Sequence, residues 1–188
     1  MSGTNSPLGQ PQGPQTGQQT GQQAMPLTIN IQYVKDLSFE VPGAPGIFTQ
    51  PQGQPQINLN LDVQARRLDP NQHIYEVVLA IKAEAQPTAA PVANGQAAPP
   101  LPTGPVFIAE LSYAGVFTLA GVPDNAIEPV LLVECPRLLF PFARNILADV
   151  TREGGFPPVL LQPLDFVALW QSRRGPGAAP GQVPTVQA

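Results

Sequence analysis

The stretch from Pro105 to Gly121, PVFIAELSYAGVFTLAG, constrains the fold more than any other part of the chain. Its residues fall into two interleaved sets. Phe107, Ala109, Leu111, Tyr113, Phe117 and Leu119 share one face of an extended strand; Val106, Ile108, Glu110, Ser112, Ala114 and Thr118 share the other. A period of two, rich in aromatic and β-branched residues, predicts a strand rather than a helix. Gly115 in its middle predicts a bulge or a close backbone approach. One face is apolar enough to pack on a core, while the other, with Glu110, meets water or a partner. A strand with two such unlike faces needs antiparallel neighbours at its sides and apolar cover beneath it.

Three earlier segments repeat the pattern. From Leu27 to Val41 the odd positions read Leu, Ile, Ile, Tyr, Lys, Leu, Phe, Val, and the even ones are polar but for Val34, which puts Asp36 and Glu40 on a polar face. Ile57 to Ala65 alternates Ile57, Leu59, Leu61 and Val63 with Asn58, Asn60, Asp62 and Gln64. After a turn over residues 66–71, His73 to Ala85 sets Tyr75, Val77, Leu79 and Ile81 against Glu76, Lys82 and Glu84. The first two strands are separated by Pro42-Gly43-Ala44-Pro45-Gly46 and a second proline break from Pro51 to Pro55, too long for a tight hairpin and therefore a crossover loop. Ile47 and Phe48 in that loop read either as a plug into the core or as part of a binding surface. Residues 86–104 form a Pro/Ala/Gly hairpin insert.

Helical patterns follow. Asp124 opens a short helix through about Glu134, Pro136 starts a second, and Gly154-Gly155 ends it. Leu138, Phe142, Ile146 and Val150 recur every four residues, with Leu139, Ala143 and Leu147 beside them, a wide apolar stripe. Asp165 caps a last helix with Phe166, Leu169 and Trp170. The fold class is α+β: a four-stranded antiparallel sheet with one solvated face, its apolar face covered by C-terminal helices. Val130 to Val133 is apolar all round, and a helix covering one sheet needs a single stripe. The surplus apolar surface, continuing through Leu138 and Phe142, predicts burial against another protomer.

Both ends are low in complexity. Residues 1–24 carry no charge and repeat Gln, Gly and Pro; residues 173–188 are again mostly Pro, Gly, Ala and Gln, and both are expected to be disordered around a domain of residues 25–172. Of nine basic residues, Arg173 and Arg174 stand at the tail boundary, leaving seven against all thirteen acidic ones, a charge near −6 for the domain. That balance argues against nucleic acid and anionic membrane as partners. One cysteine, Cys135, excludes an internal disulfide framework and fits a reducing compartment. With no signal peptide and no apolar run of spanning length, the expected location is the cytoplasm, without membrane insertion. The chain has no phosphate-cradling glycine loop, no metal-binding Cys/His cluster and no nucleophile elbow. His73 stands alone at a strand start and the carboxylates form no acid/base pair, so no catalytic residue, metal or cofactor is expected.

Several ordered motifs carry a family likeness. Tyr33-Val34-Lys35-Asp36-Leu37-Ser38-Phe39-Glu40-Val41-Pro42, Ala44-Pro45, Phe48 and Tyr75-Glu76-Val77 resemble the bacterial protein-export chaperone family SecB. So do Gly115-Val116-Phe117-Thr118-Leu119-Ala120-Gly121 and, above all, Cys135-Pro136-Arg137-Leu138-Leu139-Phe140-Pro141-Phe142-Ala143-Arg144. Gly155-Phe156-Pro157 and Pro163-Leu164-Asp165-Phe166 complete a likeness over about residues 27–172. The crossover loop departs from it, lacking the tryptophan that family members often carry before a Gln-Pro step. The resemblance implies an ATP-independent holdase, a homotetramer built as a dimer of dimers. It would keep unfolded secretory precursors export-competent and pass them to the motor ATPase SecA. Asp36, Glu40, Ile108 and Glu110 match the family's docking surface for SecA. Candidates for the substrate groove are Ile47, Phe48, Phe166, Leu169 and Trp170, and for the tetramer interface Leu138 and Phe142. The alternative reading is an adaptor domain that binds one folded partner.

Overall fold

Four strands and three helices are built from these patterns. The computed structural model describes residues 27–49, 53–88 and 103–174. The leader 1–24, residues 89–102 of the insert and the tail beyond Arg174 lie outside the described residues. The strands are β1 (Leu27–Glu40), β2 (Gln56–Arg67), β3 (Ile74–Gln86) and β4 (Phe107–Leu119), joined antiparallel in the order β1-β4-β3-β2. The last strand in sequence thus lies inside the sheet, between the first and the third. Among the described residues of the crossover loop is a 3-10 turn, Gly46–Phe48.

The apolar face of β4 is buried throughout: Phe107, Ala109, Leu111, Tyr113, Phe117 and Leu119 are each no more than 8% exposed. Leu59, Leu61 and Val63 of β2 and Val77, Leu79 and Ile81 of β3 extend that floor. Helix α2 (Cys135–Glu153) packs on it through Leu139, Ala143 and Leu147. Gly115 is the point of closest approach. A Cβ there would stand 2.9 Å from Leu139 Cδ2 and 2.8 Å from Phe117 Cε2. Its register with both neighbours is regular, so close approach, and no bulge, explains the glycine.

Two expectations are corrected. The first helix does not stop before Pro136. Helix α1 (Asp124–Pro129) runs through a π turn, Val130–Glu134, straight into α2. Pro136 has no N–H to offer four residues back, and the wider turn takes up the misfit, with the Cys135 N–H bonded to Val130 O. Asp124 makes no side-chain cap; Pro123 is the N-cap residue. Asp165, in contrast, accepts the N–H groups of Val167 (2.9 Å) and Ala168 (3.0 Å) at the start of α3 (Phe166–Arg174). This helix includes Arg173 and Arg174, past the tail boundary expected at 173.

The second correction is in β1. Its pairing with β4 skips a residue between Ile29 and Ile31 and another between Val34 and Asp36, leaving Asn30 and Lys35 as extra residues. Each bulge reverses which parity faces the helices. Ile31 and Tyr33, opposite Val116 and Ala114, therefore lie on the open face, not the apolar one, and Gln32 turns to the helix side. The second bulge restores the expected order, with Leu37 and Phe39 on the helix side and Asp36, Ser38 and Glu40 on the open face. Both extra residues are anchored: Asn30 Nδ2 donates to Thr118 Oγ1 (2.9 Å), and Lys35 Nζ to Glu76 Oε2 (2.9 Å).

Candidate functional site

The open face of the sheet carries the first candidate. Along β1, Asp36, Ser38 and Glu40 stand opposite Ser112, Glu110 and Ile108 of β4. Glu110, Ile108 and Ser112 in turn face Lys82, Glu84 and Ala80 of β3, and Ala80 faces Asp62 of β2. The four residues singled out from sequence, Asp36, Glu40, Ile108 and Glu110, are thus on one face of two adjacent strands. Asp36 and Glu40 are exposed, while Ile108 and Glu110 are half-buried. Three further charges join them. Glu84 and Asp62 widen the acidic surface, and Lys82 Nζ lies 2.7 Å from Glu110 Oε1 at its centre. Glu110, then Glu84 and Glu40, raise the Lys82 ammonium above its ordinary pKa. A shallow cleft opens here, rimmed by Asp36, Asp62, Lys82 and Glu110.

Farther along the same face the charge arrangement is different. Glu76, only 2% exposed, receives the Tyr33 hydroxyl, both contacts of Lys35 Nζ (2.9 and 3.0 Å) and Arg66 Nε at 2.5 Å. The Arg66 guanidinium, with Tyr33 and Lys35, outweighs the cost of burial and holds the carboxyl down at about 2. Tyr33 is raised in turn, chiefly by its hydrogen bond to Glu76. Reading residues 73–85 alone makes Glu76 one of several solvated carboxylates. Its partners come from β1 and β2, and only the sheet order reveals them.

The apolar candidates divide. Ile47 (6% exposed) and Phe166 (1%) are core residues, since the crossover turn and the start of α3 both point inward. Neither lies on an open surface. Phe48 is different: it is 53% exposed and its ring packs, tilted, against Phe156, ring centroids 5.2 Å apart. Phe156 continues to Phe107 (5.0 Å) and Phe107 to Phe39 (5.6 Å), a row of four rings at one end of the sheet. Gly154 and Gly155 let the chain leave α2 into this row. A Cβ on Gly154 would lie 2.1 Å from Phe39 Cε1, and Gly155 has φ 88. Phe156 is the residue sequence reasoning missed, although the Gly-Gly step before it marked a sharp change of direction.

Leu169 and Trp170 are half-buried against the core. The Trp170 indole donates to Glu128 Oε1 (3.2 Å), and the Arg174 guanidinium sits 4.7 Å over its ring. Glu128 also rims a groove of about 700 Å³ between β2 and the long helix, lined by Val63, Ala65, Ile127, Leu131 and Leu132. The run Val130–Val133, read from sequence as surplus surface for another protomer, instead buries Leu131 and Val133 within the protomer, while Leu131 and Leu132 form that wall. Leu138 and Phe142 remain 41% and 49% exposed on α2, Phe142 stacked on Tyr113 at 6.2 Å. Cys135 is fully buried, and burial pushes its thiol up to about 12, so it is inert as a nucleophile.

Among the described residues no helix is long and apolar enough to cross a membrane. A family model described as preprotein translocase subunit SecB matches residues 19–175. The chain is 67% identical over 149 residues to a protein-export protein SecB of Acidiphilium cryptum, covering 79% of this chain and 89% of that protein. With the protein-export protein SecB of Granulibacter bethesdensis the identity is 70% over 149 residues, 79% of this chain and 82% of that one. A solved SecB-like chaperone of Mycobacterium tuberculosis, in complex with a peptide from the HigA1 antitoxin, matches with a TM-score of 0.55. At 18% identity over 73% of this chain and 90% of that one, it shows the likeness in fold. The chain belongs to the SecB family and is a protein-export chaperone.

Proposed function

We propose that this chaperone holds unfolded secretory precursors in the cytoplasm on its exposed apolar surfaces and presents its acidic sheet face to SecA. The observation that carries the reading is the separation of two unlike surfaces on one protomer. Asp36, Glu40 and Glu110, with Ile108 beside them, stand on the open face; Phe48 with Phe156, and the groove beside Leu131 and Leu132, are apolar. An unfolded chain offers apolar side chains in no fixed order, and exposed apolar surface with few polar demands suits it. A basic segment of SecA would be drawn to the carboxylates. Homotetramer formation is part of the proposal. It is supported by exposed Leu138 and Phe142 on α2 and by exposed Ile29, Ile31, Val34 and Leu37 on β1, a strand at the sheet's edge.

Charge reversal separates the two functions. Glu40→Lys or Glu110→Lys should weaken SecA binding by about tenfold or more and make it less sensitive to salt, since charge pairs are screened beyond about 8–10 Å. Precursor binding, followed by suppression of aggregation of a denatured protein without nucleotide, should be unchanged. Phe48→Ala should do the reverse, costing precursor binding about 1–3 kcal/mol. SecA binding that survives both reversals at every salt concentration would remove the docking surface from consideration.

A further inference from the structure

The acidic face depends on where β1 takes its second extra residue. β1 has one residue more between Val34 and Asp36 than β4 has to match, and Lys35 is the one left over. Moving the bulge one residue later would set Lys35 opposite Ser112 and make Asp36 the extra residue. Leu37 and Phe39 would keep Leu111 and Ala109 as partners, so burial does not choose between the two arrangements.

The buried carboxylate of Glu76 does choose. It binds Tyr33, two residues before the bulge residue, and Lys35 itself, the ammonium lying 2.9 and 3.0 Å from its two oxygens. Opposite Ser112 the Lys35 backbone would start up to one residue, about 3 Å, farther from Glu76, and the 2.9 and 3.0 Å contacts would be stretched. Ser112 faces Ala80, four residues and so about 13 Å along β3 from Glu76. The rest of the Glu76 cluster, Arg66 at 2.5 Å, stays where it is in either arrangement. We propose that Lys35, held by Glu76, is a positioning residue: it keeps the bulge at its own position and so sets Asp36 opposite Ser112, beside Glu110 on the acidic face. This rests on reading that face as the SecA docking surface.

The sign of one substitution tests it. Lys35→Met removes a positive charge next to an acidic surface, so electrostatics alone predicts tighter SecA binding. Positioning predicts binding weaker by about fivefold, on the scale of one partly buried ion pair. Deleting Lys35 removes the need for a bulge and leaves Asp36 opposite Ser112, so it should recover most of what Lys35→Met loses. A partner-free readout runs beside these: Asp36→Cys with Ser112→Cys should oxidise to a cross-strand disulfide in the Lys35 background and far more slowly with Lys35→Met. Cys135 is buried and does not compete. Circular dichroism and solution mass establish that each variant is folded, with Lys35→Gln replacing any Lys35→Met that is not. Binding unchanged or tighter in Lys35→Met, a deletion as weak as Lys35→Met, or equal disulfide rates in both backgrounds would each overturn the proposal. If wild-type protein fails to bind SecA, the docking reading fails, and the disulfide rates alone decide the position of Asp36.

Discussion

Glu76 shows how much one residue can differ from its place in the alternation. By pattern it is one more polar residue on a strand; by contact it is a nearly dry carboxylate under three donors. Because folding lowers its pKa from the ordinary 4.5 to about 2, it adds stability above pH 4.5. That stability is lost as pH falls through this window toward 2. The contribution is no more than about 3 kcal/mol per protomer, since Lys35 and Arg66 stand partly in water and their charges are screened. Thermal unfolding should show it: Glu76→Gln should melt well below wild type at pH 7, and the gap should narrow steadily between pH 4.5 and 2. A gap independent of pH would assign the cost to packing and not to charge.

Among the elements, β2, β3 and β4 are the ones the alternation describes correctly. Each pairs in unbroken register with its neighbour and buries one apolar side, so every second residue answers to one constraint. At β1 the constraint lapses. An edge strand tolerates extra residues, and neither Asn30 nor Lys35 carries the glycine or proline that would mark a bulge. The helical break at Pro136 failed for a related reason: a proline can start a helix, but a π turn also accommodates it, and only the long-range packing of Leu131 and Val133 decides. The acidic face was legible because its residues share parity along single strands; the Glu76 cluster was not, because Tyr33 and Glu76 lie 43 residues apart. Gly115 belongs to this scale too. Gly115→Ala would drive a methyl into Phe117 and Leu139, both fully buried, at a cost of about 1–3 kcal/mol. Combining it with Leu139→Ala should cost less than the sum of the two, as a double-mutant cycle in urea would measure.

For the whole molecule, α2 presents two apolar stripes. Leu139, Ala143 and Leu147 are used within the protomer, while Leu138 and Phe142 are left half-exposed. Phe142→Asp should therefore leave the protomer folded yet split the assembly, because an unpaired charge buried between protomers costs several kcal/mol. Sedimentation at micromolar concentration would show the smaller species, with an unchanged circular dichroism spectrum. Wild-type protein that sediments as a monomer would remove the tetramer from the proposed function.

The two margins of the sheet differ in valence. At β2, Arg173 of α3 reaches the backbone, donating from Nη1 to Val63 O (3.0 Å) and from Nη2 to Leu61 O (3.2 Å), with Asp62 at 2.7 Å. Two outward carbonyls that could recruit a foreign strand are already spoken for. β1 offers the other margin with no such guanidinium described on it. By strand pairing alone, a building block with one open margin joins once and then stops, so that route of growth would end in a finite particle and not a filament. Arg173→Met would supply a second margin, and light scattering of that variant at rising concentration should climb where the wild-type signal levels off.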